Sequence, residues 1–247
     1  MAERSEVLEQ EAVRDASPGY SVEAGSVSAE DVPKGYKRTE VGVMPKDWEV
    51  RNLGELCYFE NGDRGSNYPS PGSFVLDGIP FVNAGHIKDG RIYLDKMDYI
   101  TEDKYERLGG GKVKTGDILF CLRGTLGKYG VVESNFGRAA IASSLVIVRT
   151  KHNIIHREFL AIYFASNFCD RMIDKWAGGA AQPNLGAQDL KRFTICFPSL
   201  QEQRAIATAL SDADALIEFL DRLIAKKRAI KQAAMQQLLT GQTRLPG

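Results

Sequence analysis

Residues 200–240 read LQEQRAIATALSDADALIEFLDRLIAKKRAIKQAAMQQLLT, with no proline or glycine until Gly241. Ile206, Ala209, Leu210, Ala213, Leu216, Ile217, Leu220, Leu223, Ile224, Ile230, Ala234 and Leu238 recur at three- and four-residue steps. That spacing predicts one long amphipathic helix. Forty residues at 1.5 Å each would make it about 60 Å long. One small domain cannot cover such a stripe, so it is either an ordinary long core helix or one half of a helix pair. The absence of a helical mate elsewhere in the sequence favours a partner helix, antiparallel or from a second copy. Lys227 falls inside the stripe, so the coil is imperfect or the lysine snorkels.

Upstream the pattern differs. Residues 1–33 hold eight acids against two bases and carry a charge of −6. They read as a solvated tail or an added interaction arm, with a short helix expected from Glu3 to Ala16. The chain is neutral overall, so the remainder is +6, a balance compatible with nucleic-acid binding. Between Gly35 and Pro198 short apolar runs alternate with Gly, Asn and Asp, which predicts a mixed α/β domain. Strands are expected at Ile79–Asn83, Arg91–Leu94, Asp117–Leu122, Tyr129–Glu133 and Ala139–Arg149. Thr101 has the character of an N-cap, with Glu102 and Asp103 in the first turn and Gly109 as the stop. Arg157–Trp176 reads as a single longer helix closed by Gly178 and Gly179.

The composition also excludes functions. Hydrophobic residues make up 43% of the chain, enough for a core, yet no apolar run is long enough to span a membrane. The N-terminus lacks a secretory pattern. Cys57, Cys121, Cys169 and Cys196 are scattered without a C-x-x-C pair, as expected of reduced thiols in a cytoplasmic protein. There is no phosphate-binding G-x-x-x-x-G-K-[ST], no G-x-G-x-x-G and no Asn/Asp-Pro-Pro-aromatic tetrapeptide. His152 and His156 lack a third ligand nearby, and Asp77, Asp95 and Asp117 read as turn or capping acids. No catalytic or metal-ligating set is therefore assigned.

Four polar loops remain: Asn61–Tyr68, Asn83–His86, Arg123–Tyr129 and Gly178–Asn184. Each sets Arg, Lys, Asn, Gln or His beside glycine. Arg can pair bidentately with guanine, and Asn or Gln with adenine, while glycine admits the backbone close to phosphate. The same side chains can instead serve locally: Asn83 can fix a turn and Asn184 can cap a helix.

Five stretches resemble blocks of the specificity subunits of type I restriction–modification systems. Gly35-Tyr-Lys-Arg-Thr-Glu-Val-Gly-Val-Met-Pro45-Lys-Asp-Trp48 resembles the opening of a target recognition domain. Gly78-Ile-Pro-Phe-Val-Asn83 with Gly85-His-Ile-Lys-Asp-Gly90 resembles the next block. Thr115-Gly-Asp117 followed by Arg123-Gly124 and Gly127 is similar to the central hairpin. Phe197-Pro-Ser-Leu-Gln-Glu-Gln-Arg204-Ala-Ile206-Ala and the stretch from Lys231-Gln232 through Leu238-Leu-Thr-Gly241 resemble the entry and exit of the conserved spacer helix.

The resemblance implies an α+β target recognition domain (35–198) after an acidic tail (1–34). A spacer and dimerisation helix (199–241), coiled with a partner helix, and a short tail (242–247) complete the chain. It also implies a non-catalytic, sequence-specific reader of double-stranded DNA that takes one half of a split site. Adenine-N6 methyltransferase subunits, and a restriction subunit, would be recruited to it. S-adenosylmethionine, Mg²⁺ and ATP would sit on those partners and no cofactor on this chain. Full family members carry two recognition domains and two antiparallel helices. This chain has one of each, so a homodimer reading an interrupted palindrome is expected. By analogy, the DNA contacts fall on Arg64, Asn67, Tyr68, Asn83, His86, Arg123, Thr125, Lys128, Gln182 and Asn184. The partner-helix contacts fall on Ile206, Leu210, Ala213, Ile217, Leu220, Ile224 and Ile230. The competing classes are an assembly module that binds no DNA, and a stand-alone nuclease or methyltransferase.

Overall fold

The computed structural model describes residues 32–39, 42–134, 136–177 and 184–245. The expected helix at Glu3–Ala16, the glycine stop at Gly178 and Gly179, and Gln182 lie outside the described residues. Two units are distinguished, one ending at Asp47 and one beginning at Trp48. In the first, strands β1 (Tyr36–Thr39) and β2 (Gly42–Pro45) pair antiparallel, with Tyr36 opposite Pro45. The N–H of Lys46 donates to the Gly35 carbonyl at 2.9 Å and closes the ribbon.

The second unit runs β3 (Glu49–Asn52), α1 (Leu53–Leu56), β4 (Cys57–Asn61), β5 (Ile79–Val82), β6 (Ile87–Lys88), β7 (Arg91–Ile92) and β8 (Asp98–Ile100). It continues α2 (Glu102–Arg107), β9 (Ile118–Cys121), β10 (Tyr129–Val131), β11 (Ala140–Ile141) and β12 (Leu145–Thr150). It ends α3 (Arg157–Phe164), α4 (Asn167–Ala177), α5 (Ala187–Lys191), β13 (Thr194–Phe197) and α6 (Leu200–Leu239).

The centre is an antiparallel sheet in the order β10-β9-β12-β4. Successive side chains on a strand point to opposite faces. Ile118, Phe120, Val146 and Val148 therefore face α1, α3 and the Leu190–Ile195 segment. Leu119, Cys121, Leu145 and Ile147 face Val82, Ile87 and Ile141. Both faces are buried, which is why these strands read as continuous apolar runs rather than alternating ones. Burying each such Leu, Ile or Phe fully is worth roughly 1.5–3 kcal/mol. A second sheet, β11-β5-β8, pairs β5 parallel to β11 and antiparallel to β8.

Two expected elements are each broken in two. The Ala139–Arg149 run divides because β11 and β12 belong to different sheets. Between them the chain turns, with the Leu145 N–H donating to the Ala142 carbonyl at 3.0 Å. The Arg157–Trp176 run breaks at Ser166, whose hydroxyl donates to the Tyr163 carbonyl at 2.7 Å. The Ser166 carbonyl then accepts the N–H of Cys169 at 2.9 Å and so opens α4. The Arg91–Leu94 run shortens to a hairpin strand after the positive-φ pair Asp89 and Gly90. The Thr101 cap is present, its hydroxyl accepting the Lys104 N–H at 3.2 Å.

Asp117 takes the turn role anticipated for it and anchors more besides. It is 1% exposed, accepts the Lys114 N–H at 2.8 Å, and holds the Arg149 guanidinium at 2.7 and 2.8 Å. Glu60 joins the other side of Arg149 at 3.5 Å and accepts the Gly111 N–H at 2.8 Å. All four thiols are free, and burial pushes those of Cys57 and Cys169 up to about 12. Among the described residues no helix is long and apolar enough to cross a membrane, and no side-chain cluster could hold a metal ion.

Helix α6 leaves the domain directly after β13. Ser199 caps it, accepting the Glu202 N–H at 3.4 Å. Gln203 and Ala207 are buried against the domain, and every residue from Thr208 to Leu239 is exposed. The single uninterrupted helix matches the expectation, and Gly241, at φ +72°, ends it.

Candidate nucleic-acid interface

Four elements converge on one cleft, where the polar side chains Asn61, Arg64, Arg123, Asn184 and Gln188 stand beside Leu122, Leu185 and Ala187. The first wall is the loop after β4. A Cβ on Gly62 would lie 2.8 Å from the carbonyl oxygens of Ile141 and Ala142, so only glycine passes beneath β11 here. Asp63 then fixes the loop: its carboxylate accepts the N–H of Gly65 at 2.6 Å and of Gly109 at 2.8 Å. Those N–H groups hold the Asp63 carboxyl below the usual carboxylate range. Arg64 follows, exposed, with one guanidinium nitrogen donating to the Ser143 carbonyl at 3.3 Å.

The second wall begins where β9 ends. Arg123 and Asn184 form an isolated β-bridge, and the Leu185 N–H donates to the Leu122 carbonyl at 3.1 Å. The Arg123 Nε donates to Asn184 Oδ1 at 3.2 Å. That bond orients the guanidinium. Among the described residues neither Arg64 nor Arg123 has a carboxylate within ion-pair distance. Two such guanidiniums beside Asn184, Gln188 and Asn61 form a donor-rich surface. It suits the acceptor edges of guanine, the mixed edge of adenine, or phosphate oxygens.

Of the nominated DNA contacts, the cleft thus gathers Arg64, Arg123 and Asn184, with exposed Thr125 on the same loop as Arg123. The others are placed differently. Asn67 donates to the Arg107 carbonyl at 3.0 Å. The Tyr68 ring packs edge-on against Phe81 at 5.7 Å, and its hydroxyl accepts the Ser143 N–H at 3.4 Å. Asn83 accepts the Gly85 N–H at 2.8 Å and donates to Asp98 at 3.2 Å, fixing a turn. His86 is 7% exposed; its Nδ1 accepts the Asn83 N–H at 3.1 Å, and its Nε2 lies 3.3 Å from the Lys96 carbonyl. That pattern leaves Nε2 as the ring nitrogen placed to donate to the Lys96 carbonyl. Lys128 lines a separate hollow with Gly90 and Tyr129. Asn61 opens one of the four polar loops but was not among the nominated contacts, and Gln188 was not anticipated at all. Gln188 sits in a short helix whose sequence carries no reading signal, and only its fold position brings it to the cleft.

The partner-helix residues lie in the open. Leu210, Ile217, Leu220, Ile224 and Ile230 are each at least 44% exposed, and Ala213 is exposed as well. Ile206 is half-buried against the domain.

A compact α+β domain with a donor-rich cleft, carrying a 40-residue helix that leaves its surface, is the architecture of a recognition module on a spacer. Residues 45–226 match the model of the type I restriction modification DNA specificity domain, and the chain belongs to that family. It is 27% identical over 216 residues to the type I restriction enzyme MjaVIII specificity subunit of Methanocaldococcus jannaschii, covering 86% of this chain and 50% of that one. The HsdS subunit of Thermoanaerobacter tengcongensis superposes with a TM-score of 0.56 at 19% identity, over 82% of this chain and 47% of that one. A chain from a structure of complex assembly and conformational transition in a type I restriction–modification system gives a TM-score of 0.59 at 19% identity. That match covers 95% of this chain and 51% of the other. The chain spans about half the length of the curated relatives it matches. The likeness to both structures confirms the α+β domain with its long C-terminal helix.

Proposed function

We propose that this chain is the DNA-reading, non-catalytic component of a type I restriction–modification complex, with the Arg64–Arg123 cleft as part of its DNA surface. The observation that carries the reading is this pair of guanidiniums, free of carboxylates among the described residues and set beside Asn184 and Gln188 in a specificity-domain fold. The chain reads one half of a bipartite site. Adenine-N6 methyltransferase subunits, and a restriction subunit where present, supply the chemistry with their own S-adenosylmethionine, Mg²⁺ and ATP. The setting we assign is cytoplasmic, where scattered thiols stay reduced.

Helix α6 pairs with the same helix of a second copy, which brings two recognition domains together. Its apolar face is wider than a two-helix seam needs. Leu216, Leu223 and Ile230, seven residues apart, form a further row beside Ile217, Leu220 and Ile224.

Binding to double-stranded DNA in the presence of the methyltransferase partner tests the reading. Sequence-selective binding with a steep negative slope of log K on log salt is expected. A slope near zero would favour an assembly module instead. Turnover of DNA by the pure chain with Mg²⁺ and S-adenosylmethionine would contradict the non-catalytic assignment.

A further inference from the structure

Charge is segregated along α6. From Leu200 to Asp221 it carries Glu202, Asp212, Asp214, Glu218 and Asp221 against Arg204 alone. From Arg222 to the end of the chain there is no acid, and Arg222, Lys226, Lys227, Arg228 and Lys231 follow within ten residues. The acidic half also borders a groove between α6 and the domain, rimmed by Asp89, Glu133, Glu158, Asp214 and Glu218. Its one arginine, Arg91, faces Glu218 at 3.7 Å. Asp214 has no ion-pair partner among the described residues. The Tyr129 hydroxyl, which shares the groove, is pushed up by burial first and by the Asp214 charge second.

The geometry points to this groove as the receptor for Arg228 of a second copy, whose α6 runs antiparallel along the first. The antiparallel direction is that of the two spacer helices of full family members; the inference rests on the two-copy reading above and adds the register and the ion pair that sets it. Asp214, Asp221 and Arg228 are seven residues apart, so they share one flank of the helix. In a two-fold antiparallel pair each flank meets the same flank of the other copy in reverse order. Asp214 then meets Arg228 twice, and the pair is centred on Asp221. The apolar row from Ile206 to Leu238 is centred on Arg222, so packing and charge select registers that agree to within one residue. A parallel pair would set acidic half against acidic half. The register has one cost, since the two Asp221 carboxylates approach across the axis.

Sedimentation equilibrium on the full chain tests this. Asp214→Arg and Arg228→Glu should each weaken the dimer about tenfold, the scale expected when two exposed ion pairs turn repulsive. The double variant, which re-forms the pair with its charges exchanged, should return to within about threefold of the unsubstituted protein. Asp221→Asn should tighten the dimer. All three positions are exposed, so circular dichroism should be unchanged. If the unsubstituted chain dimerises but Asp214→Arg and Arg228→Glu dimerise equally well, the groove assignment is overturned while the two-copy reading stands. If the unsubstituted chain is monomeric at micromolar concentration, both fall.

Discussion

The side-chain oxygen of Gln203 accepts the backbone N–H of His156 at 2.8 Å, joining the first turn of α6 to the start of α3. The same amide donates from Nε2 to the carbonyls of Ile154 at 3.1 Å and Pro198 at 2.9 Å. Gln203 is fully buried, so all three backbone groups depend on it. This amide, with Ala207 and Ile206 packed beside it and the Arg91–Glu218 ion pair further along, fixes the angle at which the helix leaves the protein.

Gln203→Ala should therefore lower stability by at least ~1–3 kcal/mol, because it strands buried donors and acceptors. Gln203→Glu places a carboxylate against two carbonyls and should also destabilise at neutral pH. Thermal unfolding of both variants checks this, and full stability in Gln203→Ala would show that the amide is no clamp.

Asp63 makes a pH-dependent contribution of known sign. Its carboxyl is held below the ordinary range by the N–H groups of Gly109 and Gly65. A depressed folded-state pKa stabilises the protein above the unfolded value of about 3.9, and the benefit fades as pH falls through the lower folded value. Asp63→Asn should thus lower stability slightly at pH 7, since the carboxylate it replaces is largely screened by solvent. The gap in Tm between the two proteins should close in acid below about pH 4. A gap that stays constant down to acid pH would contradict the assignment.

In the cleft, Arg64→Ala and Arg123→Ala should each weaken DNA binding by the complex. A bidentate base contact is worth ~1–3 kcal/mol of discrimination, and its loss relaxes preference at one position. Removing a phosphate-binding side chain instead weakens binding to all sequences alike and reduces the salt slope by about one. His86→Ala, by contrast, should act on stability, because its ring is engaged within the fold. Unchanged affinity and preference in both arginine variants would remove the cleft from the DNA surface.

Much of this was legible in the residues. A long stripe without glycine or proline announces its helix, and the Ile118–Leu122 run announces a buried strand. The break at Ser166 was hidden because the apolar spacing of Leu160, Phe164, Phe168, Met172 and Trp176 continues through it. A single side-chain bond to Tyr163 decides it. The split between Ala140–Ile141 and Leu145–Thr150 was hidden because both halves are apolar and only sheet membership separates them. In the cleft, glycine-flanked Arg64 and Arg123 stood out. Asn83 and His86 looked alike in sequence, but their bonds are local. A polar side chain that satisfies its own turn and one that faces a ligand carry the same letter, and only the tertiary fold distinguishes them.

The most direct test of the central claim is a map of methylated adenines in DNA modified by this chain together with its methyltransferase subunit. The account predicts a split motif whose two halves are inverted copies of each other, and loss of that selectivity in the Arg64→Ala, Arg123→Ala double variant. A motif with two unlike halves, or an unchanged pattern in the double variant, would contradict it.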